Sequence, residues 1–435
     1  MAQDHIFPTP LSRRRFLQST GAMALGGSFL AACAGTGSST SGGSTSGNSN
    51  LPTLQQWYHQ YGETGTHEAV LKYAKDYTKA NVKVSWVPGT GDDYGNKVHA
   101  ALLGSNPPDV FELSGIGVDL IKAGAVEPLD DLFADVKSDF TPASLAAFVV
   151  DGKTYGIKML NDPTFVYYRK SLFQKAGLQI PTNVDELIAA AKKLSTGKMK
   201  GIYVGTDGGV DSLSYIALWS AGSDLLSSDN TKVTFNNDRT AQAFMKLHEL
   251  NTSGGVLPDA PTYWWDPSAF TQGLAAMQFC GLWAMPGITK ALGDDFGIFP
   301  FPALDAKGTP ATVNGGWAEM VSAKSKNKDA AKEYVKSLWV TNAEVQKDWN
   351  VGYGFHVPPR NSTAASTDKL KSGEAAKAVD YLNKYGHAIP PYWDASMNTA
   401  YKDAASTIIK SGGNALSILN TAAEKCSAEL QKLHS

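Results

Sequence analysis

The sequence predicts an α/β fold built on mostly parallel sheets, because segments of strand periodicity alternate along the chain with segments of helical periodicity. From Asn81 to Val87, Val82, Val84 and Trp86 alternate with Lys83 and Ser85, the period of a half-buried strand. Just before it, Val70, Tyr73, Ala74 and Tyr77 recur at helical spacing, with Thr66 placed as N-cap and Glu68 in the first turn. Residues 51–435 are enough for two ordinary domains with substantial cores.

Further elements follow the same logic. Thr141-Pro142 predicts a short helix with proline at its first position. Thr182, followed by Asp185 and Glu186, predicts another that runs to Lys193. Asn327-Lys328-Asp329 opens a helix carrying Ala331, Tyr334, Val335 and Leu338, and Ala415 to Leu433 reads as one more amphipathic helix. No internal repeat is visible.

The first fifty residues have a different character. Ser12-Arg13-Arg14-Arg15-Phe16-Leu17 is basic, and an apolar, glycine-rich run from Gly21 to Ala32 follows. That run falls short of the roughly 20 residues a membrane-spanning helix needs. A basic start, a short apolar stretch and small residues describe a secretory signal, and paired arginines beside Phe-Leu point to the twin-arginine route. Leu30-Ala31-Ala32-Cys33 resembles the lipobox of bacterial lipoproteins, which implies cleavage after residue 32 and lipid on Cys33. Residues 33–50 then read as a lipidated cysteine and a Gly/Ser/Thr tether, too poor in apolar side chains to fold. Such a tether reaches roughly 20–25 Å. The expected location is outside the cytoplasm, anchored to the cell membrane.

Charge narrows the function classes. Thirty-nine Lys and Arg against 41 Asp and Glu give −2, and residues 1–32 hold three arginines and one aspartate, so their removal gives −4. That balance offers no basic footprint for nucleic acid. The eight histidines show no metal-ligand spacing, and no metal or other cofactor is expected. Beyond Cys33, only Cys280 and Cys426 could pair; Cys280, within Met277-Gln278-Phe279-Cys280, reads as a small buried hydrophobe.

An ordered set of motifs runs through the rest of the chain. Pro107-Pro108-Asp109-Val110-Phe111-Glu112 is followed by Gly124-Ala125-Val126-Glu127-Pro128-Leu129. Tyr155-Gly156-Ile157 precedes Phe165-Val166-Tyr167-Tyr168-Arg169-Lys170-Ser171-Leu172-Phe173. Phe270-Thr271-Gln272-Gly273-Leu274-Ala275-Ala276-Met277 precedes Gly281-Leu282-Trp283, and Gly315-Gly316-Trp317 precedes Val321-Ser322-Ala323-Lys324-Ser325-Lys326-Asn327. With these motifs in this order, the chain resembles the family 1 extracellular solute-binding proteins, sugar-capturing components of ABC importers related to maltodextrin-binding proteins. The resemblance implies a two-lobed, periplasmic-binding-protein-like (type II) fold, with a hinge and an interlobe ligand cleft. It places one lobe at 51–160 plus 305–356 and the other at 161–304 plus 357–435. Crossings are expected near Leu160-Asn161, Pro302 and Val357-Pro358. It also implies a sugar as ligand, permease subunits as partners, a monomer and no catalysis.

A sugar offers apolar C–H faces and a rim of hydroxyls, so aromatic planes beside carboxylates suit it. Among ten tryptophans, Trp283 and Trp317 sit at matching family positions, with Gly316 beside the latter. Trp57, Trp219, Trp264, Trp265 and Trp393 are further candidates, while Trp86, Trp339 and Trp349 fit core packing. Glu63 after the first strand, Glu112 at a strand end and Asp162 at the crossover fall where relatives place polar contacts. Asp211 in a polar loop and Arg360 past the last crossing complete the candidates. Two alternatives stay open: a binding protein for a polyol, amine or peptide, whose cations would also suit aromatic clefts, and a lipid-anchored glycoside hydrolase using two carboxylates. The glycine pairs lack the spacing of a phosphate-binding loop.

Overall fold

The computed structural model describes residues 50–88, 91–205, 209–260 and 262–435. The arginine segment, the sequence around Cys33 and nearly all of the tether lie outside the described residues.

Two sheets organise the rest. The first contains β1 (Thr53–His59), β2 (Asn81–Val87), β3 (Val110–Leu113), β4 (Ile157–Lys158) and a late strand, Ala318–Val321, in the order β2-β1-β3-(Ala318–Val321)-β4. The second contains β5 (Thr164–Tyr168), β6 (Lys200–Tyr203), β7 (Ala275–Gly281) and β8 (Gly297–Phe299), in the order β8-β5-β7-β6. The late strand is β9. In β1, Leu54, Gln56 and Tyr58 face the core while Thr53 and Gln55 are exposed, the alternation of a strand covered on one face. β2 spans the residues its alternation predicts.

The sheets are mixed rather than mostly parallel. β1 pairs parallel with β2 and β3, but β9 runs antiparallel to both β3 and β4. In the second sheet β7 is parallel to β6, while β5 is antiparallel to β7 and β8. The physical reason is the route of the chain. β5 and β9 both begin where the chain arrives from the opposite sheet, so each starts at the junction and runs away from it. Their neighbours β3 and β7 run toward the junction.

Helix starts agree with sequence to within a residue. Thr141 caps its helix by accepting from Ser144 N. At the next, Asn183 rather than Thr182 is the cap, and Thr182 N and Oγ1 donate to Glu186 Oε2, completing a capping box one residue out of register. Gly65, at φ 91°, replaces Thr66 as the cap of Thr66–Asp76; a Cβ there would stand 2.9 Å from the Tyr353 ring. Asn327 starts Lys328–Trp339 without a side-chain cap, its Nδ2 donating instead to Thr53 O. The final helix is Ala415–His434.

Trp339 and Trp349 are fully buried in the core behind the first sheet, and Trp86 is half-buried against it. Cys280 on β7 and Cys426 in the final helix are both buried and free.

Candidate functional site

Three stretches of chain lie side by side where the two sheets meet. Asn161 bridges to Val357, Asp162 bridges to Gly315, and Met159 N donates to Trp317 O at 2.9 Å. The second passage therefore lies between β9 and the bridged pair Phe301–Ala311 that precedes it, at Asn314–Trp317, well past Pro302. Residues near 302–309 still hydrogen-bond with the second lobe, through Ala303 O to Val184 N and Leu304 N to Ser220 O. Gly316 makes the close approach possible: its φ is 107°, and a Cβ there would lie 2.2 Å from Leu160 O.

Sequence reasoning did not single out His356, which occupies the centre of this junction. Its ring is 2% exposed. Nδ1 lies 2.5 Å from Asp162 Oδ1 and Nε2 lies 3.0 Å from Glu63 Oε1. The seat is made by a turn of π-helix at Asp348–Tyr353 and by Gly354, where a Cβ would strike His356 Nε2 at 2.2 Å. Burial alone would lower the imidazole pKa, but the two carboxylates outweigh it and raise it to about 10. Burial works against the Glu63 carboxylate too, yet the hydrogen bond and charge of His356 leave its pKa below the usual value. A second cation, Lys158 on β4, is buried nearby, with Nζ 3.3 Å from Asn314 O and above the Phe148 ring. Desolvation lowers its pKa to about 7, against the opposing pull of Asp162.

An aromatic stack adjoins these charges. The Trp317 indole lies on the His59 imidazole at 3.9 Å and 21°, and the Tyr61 ring meets the same imidazole at 3.8 Å, tilted by 41°. Trp317 also meets Tyr94 edge-on, and a Cβ at Gly91 would stand 3.4 Å from it. The stack is anchored from beneath by Glu112. Its Oε1 accepts from His59 N and contacts His59 Nδ1, and its Oε2 accepts from Tyr61 OH at 2.6 Å.

The second lobe contributes Trp264, Trp265 and Trp283. Trp283 Nε1 donates to Trp265 O at 2.9 Å, Trp264 meets Trp283 edge-on, and Trp264 stacks on Phe279. Trp265 is exposed and stacked with exposed Tyr263 at 5.3 Å and 7°. A Cβ at Gly62, one residue before Glu63, would stand 3.5 Å from the Trp265 ring. Glu63, Asp162, Trp265, Trp283, Gly316 and Trp317 thus gather about one junction.

The remaining candidates are engaged elsewhere. Glu112 is not a free strand-end acid: it is fully buried, with both oxygens bound as above. Arg360 donates to Asp139 Oδ2 at 2.7 Å and to Val340 O, tying two surface segments together. Trp393 is buried against Phe235 and Tyr401, and Trp219 is buried and stacked on His387. Asp211 lies in the first turn of Gly209–Ser220, 3.7 Å from Lys402 Nζ. Trp57 packs half-buried beside the core, its carbonyl accepting from Tyr94 OH. Beyond His356, sequence reasoning also missed His59, Tyr61 and Lys158. Only the glycine-flanked run Gly352-Tyr353-Gly354-Phe355-His356 hinted at a special backbone.

Two α/β lobes joined by several strands, with aromatic faces and carboxylates at the join, define a solute-binding protein. The model of the bacterial extracellular solute-binding protein family matches residues 63–347, and the chain belongs to that family. It is 24% identical over 419 residues to the galactooligosaccharide-binding protein of Bacillus subtilis (strain 168), covering 93% of this chain and 95% of that one. It is 26% identical over 353 residues to the arabinooligosaccharide-binding protein of the same organism, covering 78% and 79%. The GacH receptor of Streptomyces glaucescens GLA.O, solved unliganded and with acarbose, superposes with a TM-score of 0.71 at 25% identity, covering 88% of this chain and 98% of that one. The family is one of substrate-binding proteins and is extracellular. Among the described residues, no helix is long and apolar enough to cross a membrane.

Proposed function

We propose that this protein captures a carbohydrate between its lobes and delivers it to the permease of an ABC importer. The observation that carries this reading is the gathering of Trp317, Trp283 and Trp265 around the Glu63–His356–Asp162 cluster at the junction. The indoles suit the C–H faces of sugar rings, and the two carboxylates suit their hydroxyls. The names of the relatives, which bind arabino- and galactooligosaccharides, support the same class of ligand. In this reading the protein acts as a monomer and returns the sugar unchanged.

The expected result is a raised melting temperature with at least one of maltotriose, α-1,5-arabinotriose and β-1,4-galactotriose, and none with spermidine or glycerol. A ligand at a thousandfold excess over Kd stabilises by about 4 kcal/mol. Trp317→Ala and Trp283→Ala should each weaken calorimetric binding of that sugar by about tenfold to a hundredfold, as loss of an aromatic anchor does. Response to spermidine alone would instead favour the amine alternative, and cleaved sugar after overnight incubation would favour a hydrolase.

We propose further that export follows the twin-arginine route and that Cys33 carries the lipid anchor, with 34–50 as its tether. Cys33→Ser should shift the protein from the membrane fraction to the soluble one or stall its processing. Unchanged fractionation and cleavage would remove the anchor from the reading.

A further inference from the structure

We infer that His356 is the positioning residue of the ligand site: its ring, protonated on both nitrogens, clamps Glu63 and Asp162 from opposite sides and presents them as hydroxyl acceptors of reduced charge. The inference rests on the reading that these two acids meet ligand. The family match ends at residue 347, so it does not reach His356.

With both acids ionised, the geometry fits the doubly protonated ring. A neutral imidazole has one N–H, and its other nitrogen would point a lone pair at a carboxylate. Here both nitrogens lie within hydrogen-bond distance of carboxylate oxygens, at 2.5 and 3.0 Å. The ring is buried, and glycine at 354 leaves room for it, since a Cβ there would stand 2.2 Å from Nε2. Its two partners come from the loop after β1 and from the first passage between the sheets, while His356 itself adjoins Val357, which bridges to Asn161. A single side chain therefore joins three segments distant in sequence.

Charge gives the clamp its consequence for specificity. Two carboxylates facing each other without a cation between them would repel, and one would take up a proton. With the imidazolium between them the cluster keeps one net negative charge, which the Lys158 ammonium offsets further only below about pH 7. The other titratable groups facing it are Tyr61 and His59 from the β1 side, which act on Glu63 and, in the case of Tyr61, on Asp162 as well. Such a cluster accepts hydroxyl hydrogen bonds while offering little attraction to an amine, which favours a neutral polyhydroxyl ligand over a cation. One oxygen of each acid is bound to the ring, so the other is what remains for ligand.

The test has two arms. In the full chain labelled with 15N-histidine and free of ligand, the His356 ring, assigned by its loss in His356→Gln or His356→Asn, should show two N–H-type nitrogens at pH 8.5. A neutral ring at that pH overturns the inference. In the second arm, maltotriose, α-1,5-arabinotriose and β-1,4-galactotriose are titrated calorimetrically into wild type and His356→Gln. The sugar that binds wild type should bind the variant at least thirtyfold more weakly at pH 7.5 and recover at least threefold by pH 5, as one carboxylate gains a proton. Over that range wild-type affinity should change less than the variant's, because protonation of Lys158 near pH 7 is common to both. Equal affinity of variant and wild type overturns the inference. Failure of all three sugars on wild type would count against the saccharide reading instead, and the ring measurement would still decide the clamp.

Discussion

Gly316→Ala is expected to destabilise the protein by about 3–5 kcal/mol in urea denaturation, the combined cost of backbone strain and a backbone clash. At φ 107° an L residue is strained whatever the space around it. Here the space is also missing, since the new Cβ would lie 2.2 Å from Leu160 O and 3.0 Å from Leu160 C. Both atoms belong to backbone that cannot rotate aside. The strands must move apart, which disturbs the Asp162–Gly315 bridge and the bond from Met159 N to Trp317 O. Asp162 and Trp317 shift with them, so sugar binding should weaken as well. Gly124→Ala supplies the control: its φ is also positive, at 61°, but nothing lies within 4 Å of the added carbon. That variant should lose only about 1 kcal/mol. Equal losses in the two would mean that the close passage at Leu160 is not what demands glycine.

Lys158→Met is expected to stabilise the protein by about 2–4 kcal/mol at pH 6, measured by guanidinium denaturation. The folded-state pKa of about 7 lies below the ordinary 10.5. Between those values the unfolded chain binds more protons than the folded one, so this lysine makes stability rise with pH from 7 to 10.5. Its penalty is greatest below pH 7, where the folded protein must hold a buried ammonium. The gap corresponds to about 5 kcal/mol at most, at roughly 1.4 kcal/mol per pH unit. Loss of the contacts to Asn314 and the Phe148 ring subtracts about 1–2 kcal/mol. Methionine fills similar volume without a charge. The gain should vanish by pH 10.5, where lysine is uncharged when folded and half-charged when unfolded. A gain of equal size at pH 6 and pH 10.5 would show that packing, not charge, decides the effect.

What the sequence determined by itself was local. The alternation of Val82, Val84 and Trp86 placed β2 on its true residues, and Thr141-Pro142 marked a helix start, because both depend on neighbours a few positions away. The order of short motifs was enough to identify the family. Position in those motifs singled out Trp283 and Trp317, and place after a strand and at a passage singled out Glu63 and Asp162; the structure brings all four to the junction, where we propose that they contact ligand. Strand direction was not legible, since β5 and β9 owe theirs to the route by which the chain reaches each sheet. Only the tertiary structure decided which polar groups are already spent. Glu112 and Arg360 looked like ligand groups until His59, Tyr61 and Asp139 were seen to occupy them. His356 carries no signal in its neighbourhood that names Glu63 or Asp162 as partners, because those contacts join positions 293 and 194 residues away. Periodicity and capping act over a few residues, whereas the charge state of a buried imidazole is set by whichever carboxylates the folded chain brings to it.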